Sequence, residues 1–497
     1  MPTNFYDVIA LGDDLAGLIG ATLCARRGLR VLVAQTPESL PEEYKLGPYR
    51  FPREPMAFVG ESSPAVRRVV GELNFIQTMK RRLTNIRPAF QIILPDARID
   101  VGPDPEALQR ELERELPDEA AALFEAFERA GEVSKVLEPV LGQDVSVPPD
   151  GFWERRELAR SEPRMPGEDE ILPGVPLGHP ARALIALPGA LTLGVDPRSA
   201  SPAATLRAFD LWRRGVSVLD GGTETLREML IEKLRTHAGE QRTVSPGGVV
   251  TKWGKVAGVS LRDRDETLGA GYLLVGTSLA EFGDLFAEKR PKRIFEVQKA
   301  IQPTAYRYVL HLVIGEAGVP EGMGPVSFVV VDPARPLVGD NAFAIYLSAP
   351  DDDARVRVSL VANCPAPGDG ENLDDLMAGL RNRLRYRLEE VMPFYSEHLL
   401  CVHSPNQARA PEGIDARESP QPMPPRPLWS SSLPAALGVG GCGYDAGVRG
   451  ATTACSQNLP GLGLEGDFAA GWCAARLISA AAGKKKDYLK DEVLLAS

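Results

Sequence analysis

The segment 5–35 constrains the fold of this chain more than any other part of the sequence. Residues 5–11 form a mostly apolar run of strand length, and a turn with one glycine and two aspartates follows. Residues 15–27 have a helical pattern rich in small side chains, and residues 29–34 form a second apolar strand. A strand, a tight turn, a helix and a strand within about 30 residues make a βαβ unit, whose strands must be parallel. The sequence therefore predicts an α/β fold.

Composition excludes several classes of function. The chain has 497 residues, and 56 Lys and Arg against 67 Asp and Glu give a net charge of −11. Such an acidic chain makes a poor nucleic-acid binder, because phosphates are bound by basic surfaces. The six cysteines form no C-x-x-C pair, which favours a reduced, cytoplasmic protein over a disulfide framework. The first residues lack a basic region, and no run of about 18 apolar residues occurs, so we expect neither a signal peptide nor a transmembrane segment.

The rest of the chain alternates between this α/β pattern and others. Residues 104–141 have apolar side chains at helical spacing and predict a helical cap. The apolar stretch 183–195 predicts ordinary core, and the alternatives are the lining of a pocket or a contact with a membrane surface. Residues 216–282 carry a second pattern, of a strand, a glycine pair and a helix, followed by further strands. Residues 295–365 predict strands joined by turns, whereas the proline-rich residues 404–434 predict a long connection.

The turn after the first strand is the first candidate binding site. Gly12 and Gly17 stand at the outer positions of the spacing G-x-G-x-x-G, which lets a pyrophosphate approach the backbone at the positive end of a helix. The middle position is Asp14, whose charge has the wrong sign for a phosphate, and Asp13 is at a variable position. At ~4 Å and an effective dielectric of ~20, one like-charge contact costs ~4 kcal/mol. The acidic residue that commonly ends the second strand is replaced by Gln35.

The closing part of the chain is the second candidate. Gly461, Gly463 and Gly466 form a glycine-rich turn that runs into a helical pattern over residues 467–478, again with many small side chains. The backbone amides of such a turn can meet a ligand, and the alternative is close packing alone. The five histidines are scattered singly, so we expect each to be a core or surface residue rather than part of a catalytic group.

The order of these elements resembles the FAD-dependent phytoene desaturase and carotenoid isomerase group of the amine-oxidase-like flavoproteins. The shared motifs lie at both ends and in the middle, so the resemblance covers the whole chain. Together they are specific for the fold and much less specific for the substrate. The matching residues are Tyr6-Asp7-Val8-Ile9, Gly12 and Leu15-Ala16-Gly17-Leu18 at the start, Gly221-Gly222, Leu226, Leu230 and Val256-Ala257-Gly258-Val259 in the middle, and Pro460-Gly461-x-Gly463-x-x-Gly466, Gly471 and Ala474-Ala475 at the end.

The resemblance implies a fold class and a domain layout. It implies a Rossmann-like FAD-binding domain, with a parallel sheet and helices, interleaved with an α+β substrate domain that has a mostly antiparallel sheet and a helical cap. The predicted segments are 1–75, 216–290 and 436–482 for the FAD-binding domain, 76–215 and 291–435 for the substrate domain, with the proline-rich connection in the second of these, and 483–497 for a charged tail.

The resemblance also implies a cofactor site and a reaction. In that family the opening turn binds the pyrophosphate of FAD, the segment after residue 243 approaches the adenine, and the closing turn approaches the isoalloxazine ring. An apolar substrate, such as an isoprenoid or a polyene, exchanges hydride with the flavin, and this chemistry needs no protein acid or base. No catalytic side chain and no metal ligand are therefore predicted. The implied cofactor-binding residues are Gly12, Asp13, Asp14, Leu15, Ala16, Gly17, Gln35, Gly222, Pro246, Gly247, Ser456, Gly461, Leu462, Gly463 and Gly466.

Two functional hypotheses stay open. The first is an FAD-dependent oxidoreductase. The second is a flavin-free member of the fold that acts as a lipid-binding, chaperone or scaffolding subunit, a use to which the Rab escort and GDP-dissociation-inhibitor proteins put a similar fold. The second is motivated by Asp14, by Gln35 and by the lack of the Gly-Gly-Arg element that the family has after its second strand. Arg50 or Arg53 can offset the charge of Asp14 under the first hypothesis.

The expected partners follow from the same hypotheses. We expect an apolar small molecule or a lipid, and no nucleic acid. The lysine-rich tail after residue 483 predicts a solvated terminus, and the alternative is weak attraction to an anionic membrane surface, where each basic residue contributes ~1 kcal/mol.

Overall fold

A computed structural model describes residues 4–12, 14–149, 151–161, 167, 172, 179–286, 290–414 and 421–484 of the chain. Asp13 and most of the lysine-rich tail lie outside these residues, and so do the predictions made for them. Within the described ranges, no helix combines the length and the apolar character needed to cross a membrane.

The helices of the described residues are spread over the whole chain. Several begin at a side chain that accepts a hydrogen bond from a first-turn amide, as Ser63 and Asp104 do. The helical cap predicted for residues 104–141 is confirmed by α4 and α5 below. The helices are α1 (Leu15–Arg26), α2 (Pro64–Glu72), α3 (Ile76–Arg82), α4 (Pro105–Glu115), α5 (Ala120–Gly142), α6 (Gly151–Ser161), α7 (Pro180–Thr192), α8 (Pro202–Arg213), α9 (Gly222–Thr236), α10 (Leu279–Asp284), α11 (Lys292–Ala300), α12 (Leu373–Val391) and α13 (Gly463–Ala481).

The strands build two large sheets and two small ones. They are β1 (Phe5–Leu11), β2 (Val31–Gln35), β3 (Glu43–Leu46), β4 (Tyr49–Pro52), β5 (Phe58–Val59), β6 (Leu83–Asn85), β7 (Phe90–Ile93), β8 (Arg98–Val101), β9 (Val216–Leu219), β10 (Glu240–Thr243), β11 (Pro246–Lys252), β12 (Lys255–Leu261), β13 (Thr267–Val275), β14 (Ile301–Gly315), β15 (Val326–Val330), β16 (Ala342–Leu347), β17 (Arg355–Pro365), β18 (Leu399–His403), β19 (Arg426–Ser431) and β20 (Ala451–Thr453).

The first large sheet contains the βαβ unit that the sequence predicts. Its order is β10-β2-β1-β13-β12-β11, and β20 pairs with the end of β13. The pairs β10–β2, β2–β1, β1–β13 and β13–β20 are parallel, whereas β12 and β11 continue the sheet as antiparallel strands. The carboxyl ends of the parallel strands therefore meet at one edge, where ligands bind in open α/β sheets.

The second large sheet has the order β18-β14-β17-β16-β15-β7-β8 and is antiparallel except for the pair β15–β7. Apolar residues of α12 cover one of its faces. Strand β19 pairs with residues 301–307 of β14, at the same edge as β18. The prediction that residues 404–434 are a connection is therefore wrong for residues 426–431, because the long strand β14 offers them a free edge.

Helices α1 and α13 pack against each other on one face of the parallel sheet. A side chain on Gly471 of α13 would place its Cβ 2.6 Å from the carbonyl oxygen of Ala16, and one on Gly20 of α1 would come within 3.1 Å of the Gly471 carbonyl oxygen. The small residues of both helices thus allow the backbones to touch. This contact joins the first and last folded segments of the chain and sets the opening turn beside the closing one.

Candidate cofactor site

The turn between β1 and α1 is built so closely that two of its positions accept only glycine. Gly12 has a φ of +81°, and a Cβ there would lie 2.5 Å from the carbonyl oxygen of Gly276. A Cβ on Gly17 would lie 2.6 Å from the Cα of Gly276. The two glycines that the sequence singles out therefore bring the opening turn against the end of β13.

Asp14 connects the opening turn to the closing segment. Its backbone N–H donates to the Gly276 carbonyl at 3.1 Å, and its Oδ2 accepts a hydrogen bond of 3.4 Å from the backbone N–H of Ser456. The carboxylate makes no cap to α1. Leu15 and Ala16 follow as the first residues of the helix, the latter fully buried. The side chain of Asp14, which stands where the dinucleotide spacing usually has a glycine, therefore accepts a hydrogen bond from Ser456.

Three long helices around this turn begin without a side-chain cap. They are α1, α9 and α13, whose preceding residues are Asp14, Gly221 and Leu462. First-turn N–H groups have no acceptor within their own helix, and the positive end of the helix dipole adds to their attraction for anions. Gly222, the first residue of α9, has a φ of +59°, and the neighbouring Thr223 hydroxyl reaches Met56 in the segment after β4.

Gln35 ends β2 at the same sheet edge. Its Oε1 accepts a hydrogen bond of 3.1 Å from the Gln241 amide, and its carbonyl accepts one of 2.8 Å from the N–H of Val244. Pro246 and Gly247 start β11 just beyond, half-buried and exposed respectively. The structure thus brings Gln35 and the predicted adenine segment together, with the Gln35 side chain bonded to a neighbouring strand.

The closing turn is as tightly packed as the opening one. A Cβ on Gly461 would lie 2.9 Å from the Val439 backbone, and one on Gly466 would lie 2.3 Å from the carbonyl oxygen of Leu459. Leu462 between them is buried, and Gly463 has a φ of +53°. These glycines serve close packing, and no side chain caps the amino end of α13.

Four carboxylates from separate parts of the chain act electrostatically on one arginine, and three of these acids, Glu42, Glu54 and Asp467, were not found from the sequence. The Nε of Arg426, in β19, lies 3.2 Å from the Glu54 Oε1. The Arg426 pKa is raised first by Glu54 and further by Glu42, Asp467 and Asp14. The Arg426 side chain is 42% exposed, so solvent reaches one side of this group.

Asp467, in the second turn of α13, is the most perturbed acid of the group. Burial raises the pKa of its carboxyl to about 7, Asp14 and Glu42 raise it further, and Arg426 opposes them. Arg227 of α9 adds a second cation 3.9 Å from Glu42. We call the set Asp14, Glu42, Glu54, Asp467 and Arg426 the cleft cluster.

The two arginines proposed from the sequence to offset Asp14 have other partners. Arg50 pairs with Glu43 at 2.9 Å, and Arg53 donates to the carbonyl of Pro424 at 3.2 Å. Asp14 interacts electrostatically with Arg426, about 410 residues further along the chain, and no local pattern marks that residue.

A second charged group lies buried beneath the closing turn. Arg207 of α8 donates to the Glu465 carboxylate at 3.0 Å and to Glu138 of α5 at 2.8 Å, and the Ser63 hydroxyl also donates to Glu465. Glu465 stands in the first turn of α13. This buried network fixes the helix that follows the closing turn, and no sequence pattern predicted it.

The second sheet presents polar side chains towards the same region. Arg307 of β14 lies opposite Arg426 on one side and Asn363 of β17 on the other. Arg307 donates to the carbonyl of Leu193 at 2.6 Å, and Asn363 donates to that of Ala190 at 2.6 Å. Both side chains therefore hold the end of α7, which is the apolar stretch predicted as core or pocket lining.

Two of the histidines predicted to be single are neighbours. His311 and His403 lie opposite each other on β14 and β18. Burial lowers the pKa of both imidazoles, that of His403 to about 4, and His311 contacts Ser359 and the Pro52 carbonyl through its two ring nitrogens. Both are therefore buried core residues of the second sheet. Across the described ranges, no three His, Cys, Asp or Glu side chains gather as metal ligands.

No protein-family model matches this chain, and no curated protein matches it. Solved structures match it over nearly its whole length. Putrescine oxidase bound to putrescine has a TM-score of 0.59 at 14% identity, with 96% of this chain and 99% of that chain covered. Cyclohexylamine oxidase from Brevibacterium oxydans has 0.56 at 14%, and an oxidoreductase from Methanosarcina mazei has 0.57 at 11%, each over 96% and 99% of the two chains. The predicted amine-oxidase-like fold is confirmed.

Proposed function

We propose that this chain is an FAD-dependent oxidoreductase that binds its flavin in the cleft between the opening and closing turns. One observation carries the proposal. The opening turn keeps both glycines that let a dinucleotide reach the backbone, and a side chain at either position would clash with Gly276. The turn also lies at the carboxyl edge of a parallel sheet, beside a helix without a side-chain cap.

The residues present fit this cofactor mainly through the backbone. The first-turn amides of α1 would hold the pyrophosphate, residues 244–247 would lie along the adenine, and the start of α13 would face the ring. Asp14 is turned to the Ser456 N–H, which leaves the phosphate side of the turn to main-chain groups. Bound FAD supplies the hydride acceptor. The network of Arg207 and Glu465 keeps the closing turn in place.

An apolar substrate, such as an isoprenoid or a polyene, is the finer proposal. Its supports are the resemblance to the phytoene desaturase group and the position of α7. The carbonyl oxygen of Thr192, the last residue of this apolar helix, lies 3.2 Å from the Cβ that a side chain on Gly463 would have. Anaerobic mixing of the flavin-loaded protein with a polyene or with a primary amine tests the class. Bleaching of the flavin spectrum by the amine alone would rule out the apolar substrate.

The test of flavin binding uses two glycine variants that differ only in their surroundings. Gly12 and Gly28 both have a φ near +80°, but no atom lies within 4 Å of a Cβ built on Gly28. We expect the wild type and Gly28→Ala to acquire an oxidised-flavin spectrum after incubation with FAD, and Gly12→Ala to acquire none while keeping its circular dichroism. A colourless wild-type protein would refute the proposal.

A flavin-free binding subunit is the second candidate function, and the cleft cluster favours it. Four carboxylates beside the phosphate position, with Gln35 bonded to Gln241, oppose an anionic ligand. Under this alternative, FAD uptake appears only in an Asp14→Gly variant, and native mass spectrometry of the wild type reveals a bound lipid or a partner protein instead.

A further inference from the structure

The hairpin formed by β11 and β12 ends in an exposed tryptophan. Lys252 and Lys255 are the last pair of the two strands, so Trp253 and Gly254 form a two-residue turn. Both turn residues have a positive φ, of +55° and +71°, as the type I′ turn of such hairpins requires. Asparagine, aspartate and glycine favour this conformation, whereas a bulky side chain is strained in it. The turn itself therefore gives no reason for a tryptophan.

The Trp253 side chain does not contribute to the core of the protein either. It is 93% exposed, which is the highest value of any large apolar side chain among the described residues. A residue that its turn disfavours and that the fold does not bury indicates a contact outside the chain. Tryptophan concentrates at boundaries where one part of the ring meets apolar material and the N–H meets water, as at the surface of a lipid bilayer.

Basic residues of the hairpin and of a neighbouring loop accompany this tryptophan. Lys252 and Lys255 flank the turn in the two strands. The loop that contains Arg449 lies beside Lys255, because the Arg449 carbonyl accepts a hydrogen bond of 2.9 Å from the N–H of Val256. Lys252 and Arg449 are exposed, and Lys255 is half-buried. The end of the hairpin and the loop next to it therefore carry three positive charges and one exposed aromatic ring.

The end of α13 adds a fourth positive charge to this part of the molecule. The Lys255 Nζ lies 5.0 Å from the centre of the Tyr272 ring, and the Tyr272 hydroxyl donates a hydrogen bond of 2.7 Å to the carbonyl of Ala481. Lys484 stands three residues further on, exposed, and its N–H donates to the carbonyl of Ser479 at 2.8 Å. The set that we call the basic tip is Lys252, Trp253, Lys255, Arg449 and Lys484.

The positive charges of the basic tip have no carboxylate partner in the described part of the chain. Within the described ranges, no carboxylate oxygen lies within 4.0 Å of a charged nitrogen of this set. The exposed Asp445, in the same loop as Arg449, accepts a hydrogen bond of 2.8 Å from the N–H of Gly447. The chain as a whole has a net charge of −11, so the basic tip differs in sign from the average surface. An anionic partner is therefore attracted to this end and repelled elsewhere.

We propose that the basic tip binds the surface of an anionic phospholipid bilayer. The Trp253 ring lies at the boundary between headgroups and acyl chains, and the four basic residues lie among the lipid phosphates. Each lysine or arginine near such a surface strengthens the attraction, and tryptophan favours that boundary. A second copy of this chain fits the basic tip less well, because a symmetric contact would set the same lysines against each other. The inference goes beyond the proposed function and does not depend on FAD binding.

Flotation of the full-length protein with lipid vesicles tests the proposal. Vesicles of phosphatidylcholine and phosphatidylserine at about two to one provide the anionic surface, and vesicles of phosphatidylcholine alone provide a neutral one. We expect binding to the anionic vesicles, weakening as the salt concentration rises, and little binding to the neutral ones. Trp253→Asn should lower the binding constant about tenfold, because it removes the apolar ring. Lys252→Gln should lower it about fivefold, because it removes one positive charge.

Two control variants alter the same residue types elsewhere on the surface. Trp153 of α6 is 74% exposed, and Lys80 of α3 is exposed as well. We expect Trp153→Ala and Lys80→Gln to bind the anionic vesicles as the wild type does. Asparagine favours a positive φ, so Trp253→Asn should unfold at a temperature no lower than that of the wild type. Thermal unfolding of this variant therefore separates a loss of binding from a loss of structure.

Three results would overturn the role of the basic tip. The first is a wild-type protein that does not bind the anionic vesicles, the second is equal binding to anionic and neutral vesicles, and the third is a Trp253→Asn variant that binds as the wild type does. A wild type that ignores the vesicles and forms a dimer, which Trp253→Asn abolishes, would assign the basic tip to a second copy of this chain instead. A protein that binds the vesicles but no FAD would refute the flavin proposal and leave this inference standing.

Discussion

Two arginines of this protein lie among carboxylates, and their surroundings differ in charge balance. The Arg207 side chain is 1% exposed and its partner Glu465 is 0% exposed, whereas the Arg426 side chain is 42% exposed. The buried network pairs three arginines with three carboxylates, whereas the four carboxylates of the cleft cluster have two arginines beside them, Arg426 and Arg227. The members of the buried network are Arg207, Arg213, Arg214, Glu138, Asp210 and Glu465.

The difference indicates what each region is for. A balanced and hydrogen-bonded network holds its elements in one arrangement, and it tolerates neither a lost partner nor an added charge. An unbalanced and accessible group leaves charge that a ligand or a proton can change. The first region therefore belongs to the scaffold of the closing turn, and the second belongs to the site. Each prediction below alters one region and measures whether it behaves accordingly.

Arg207→Met should have the largest effect, on stability. It removes the cation from the fully buried Glu465 and leaves that carboxylate with the Ser63 hydroxyl alone among the partners described here. Breaking a buried pair from one side costs about 3–5 kcal/mol of the free energy of unfolding. Urea unfolding followed by circular dichroism measures the loss. The exposed Arg110→Met variant is the control, with an expected loss below about 1 kcal/mol. Equal losses in both variants would contradict the comparison.

Asp14→Gly should have the largest effect on the cleft, by raising the affinity for FAD. It removes one carboxylate and restores the glycine that the dinucleotide spacing usually has. At ~6 Å and an effective dielectric of ~20, a like-charge pair costs ~3 kcal/mol, which corresponds to a factor of about 100 in the dissociation constant. FAD titrations of both proteins at pH 8 compare the two constants. An unchanged constant would mean that the Ser456 N–H already neutralises Asp14.

The sequence predicted the parts of this fold that neighbouring residues determine. The strand, turn and helix of residues 5–27 follow from local apolar patterns. The small residues of α1 were predicted to let that helix lie close on a sheet, but its contact with α13 was not predicted. The charged residues that surround Arg207 and Arg426 come from distant parts of the sequence. Arg207 and Glu465 are 258 positions apart, and Glu54 meets Arg426 only because β19 pairs with β14.

Strand β19 shows why such contacts escape a reading of the sequence. Prolines surround residues 426–431 and favour a connection, but strand pairing depends on the partner as well as on intrinsic preference. The long strand β14 supplies that partner, and the pairing sets Arg426 opposite Arg307. The ion pair of Arg426 with Glu54 in the candidate site therefore depends on strand β19, which the prolines of the local sequence disfavour.

Asp467→Asn should stabilise the protein at high pH only. The pKa of Asp467 is raised in the folded protein to about 7, above its unfolded value, so the wild type loses stability as the pH rises from about 4 to 7. The asparagine variant escapes this loss. We expect a gain of about 1–3 kcal/mol in the free energy of unfolding at pH 8 and none at pH 4. Thermal unfolding at both pH values measures it, and a gain at pH 4 would point to packing rather than charge.

Ser63→Ala should have the smallest effect on the free energy of unfolding. It tests whether the hydrogen bond from Ser63 to Glu465 stabilises the buried network. Ser63 caps α2 through the N–H of Ala65 and also donates to Glu465, so the alanine removes two hydrogen bonds. A lost cap costs about 1 kcal/mol, and a lost bond to a buried carboxylate adds about as much. Ser278→Ala removes a cap at the exposed start of α10 and is the matched control, with an expected loss of about 1 kcal/mol. If the two losses in the free energy of unfolding are equal, the hydrogen bond from Ser63 to Glu465 adds no stability. Arg207 alone then stabilises the buried Glu465 carboxylate.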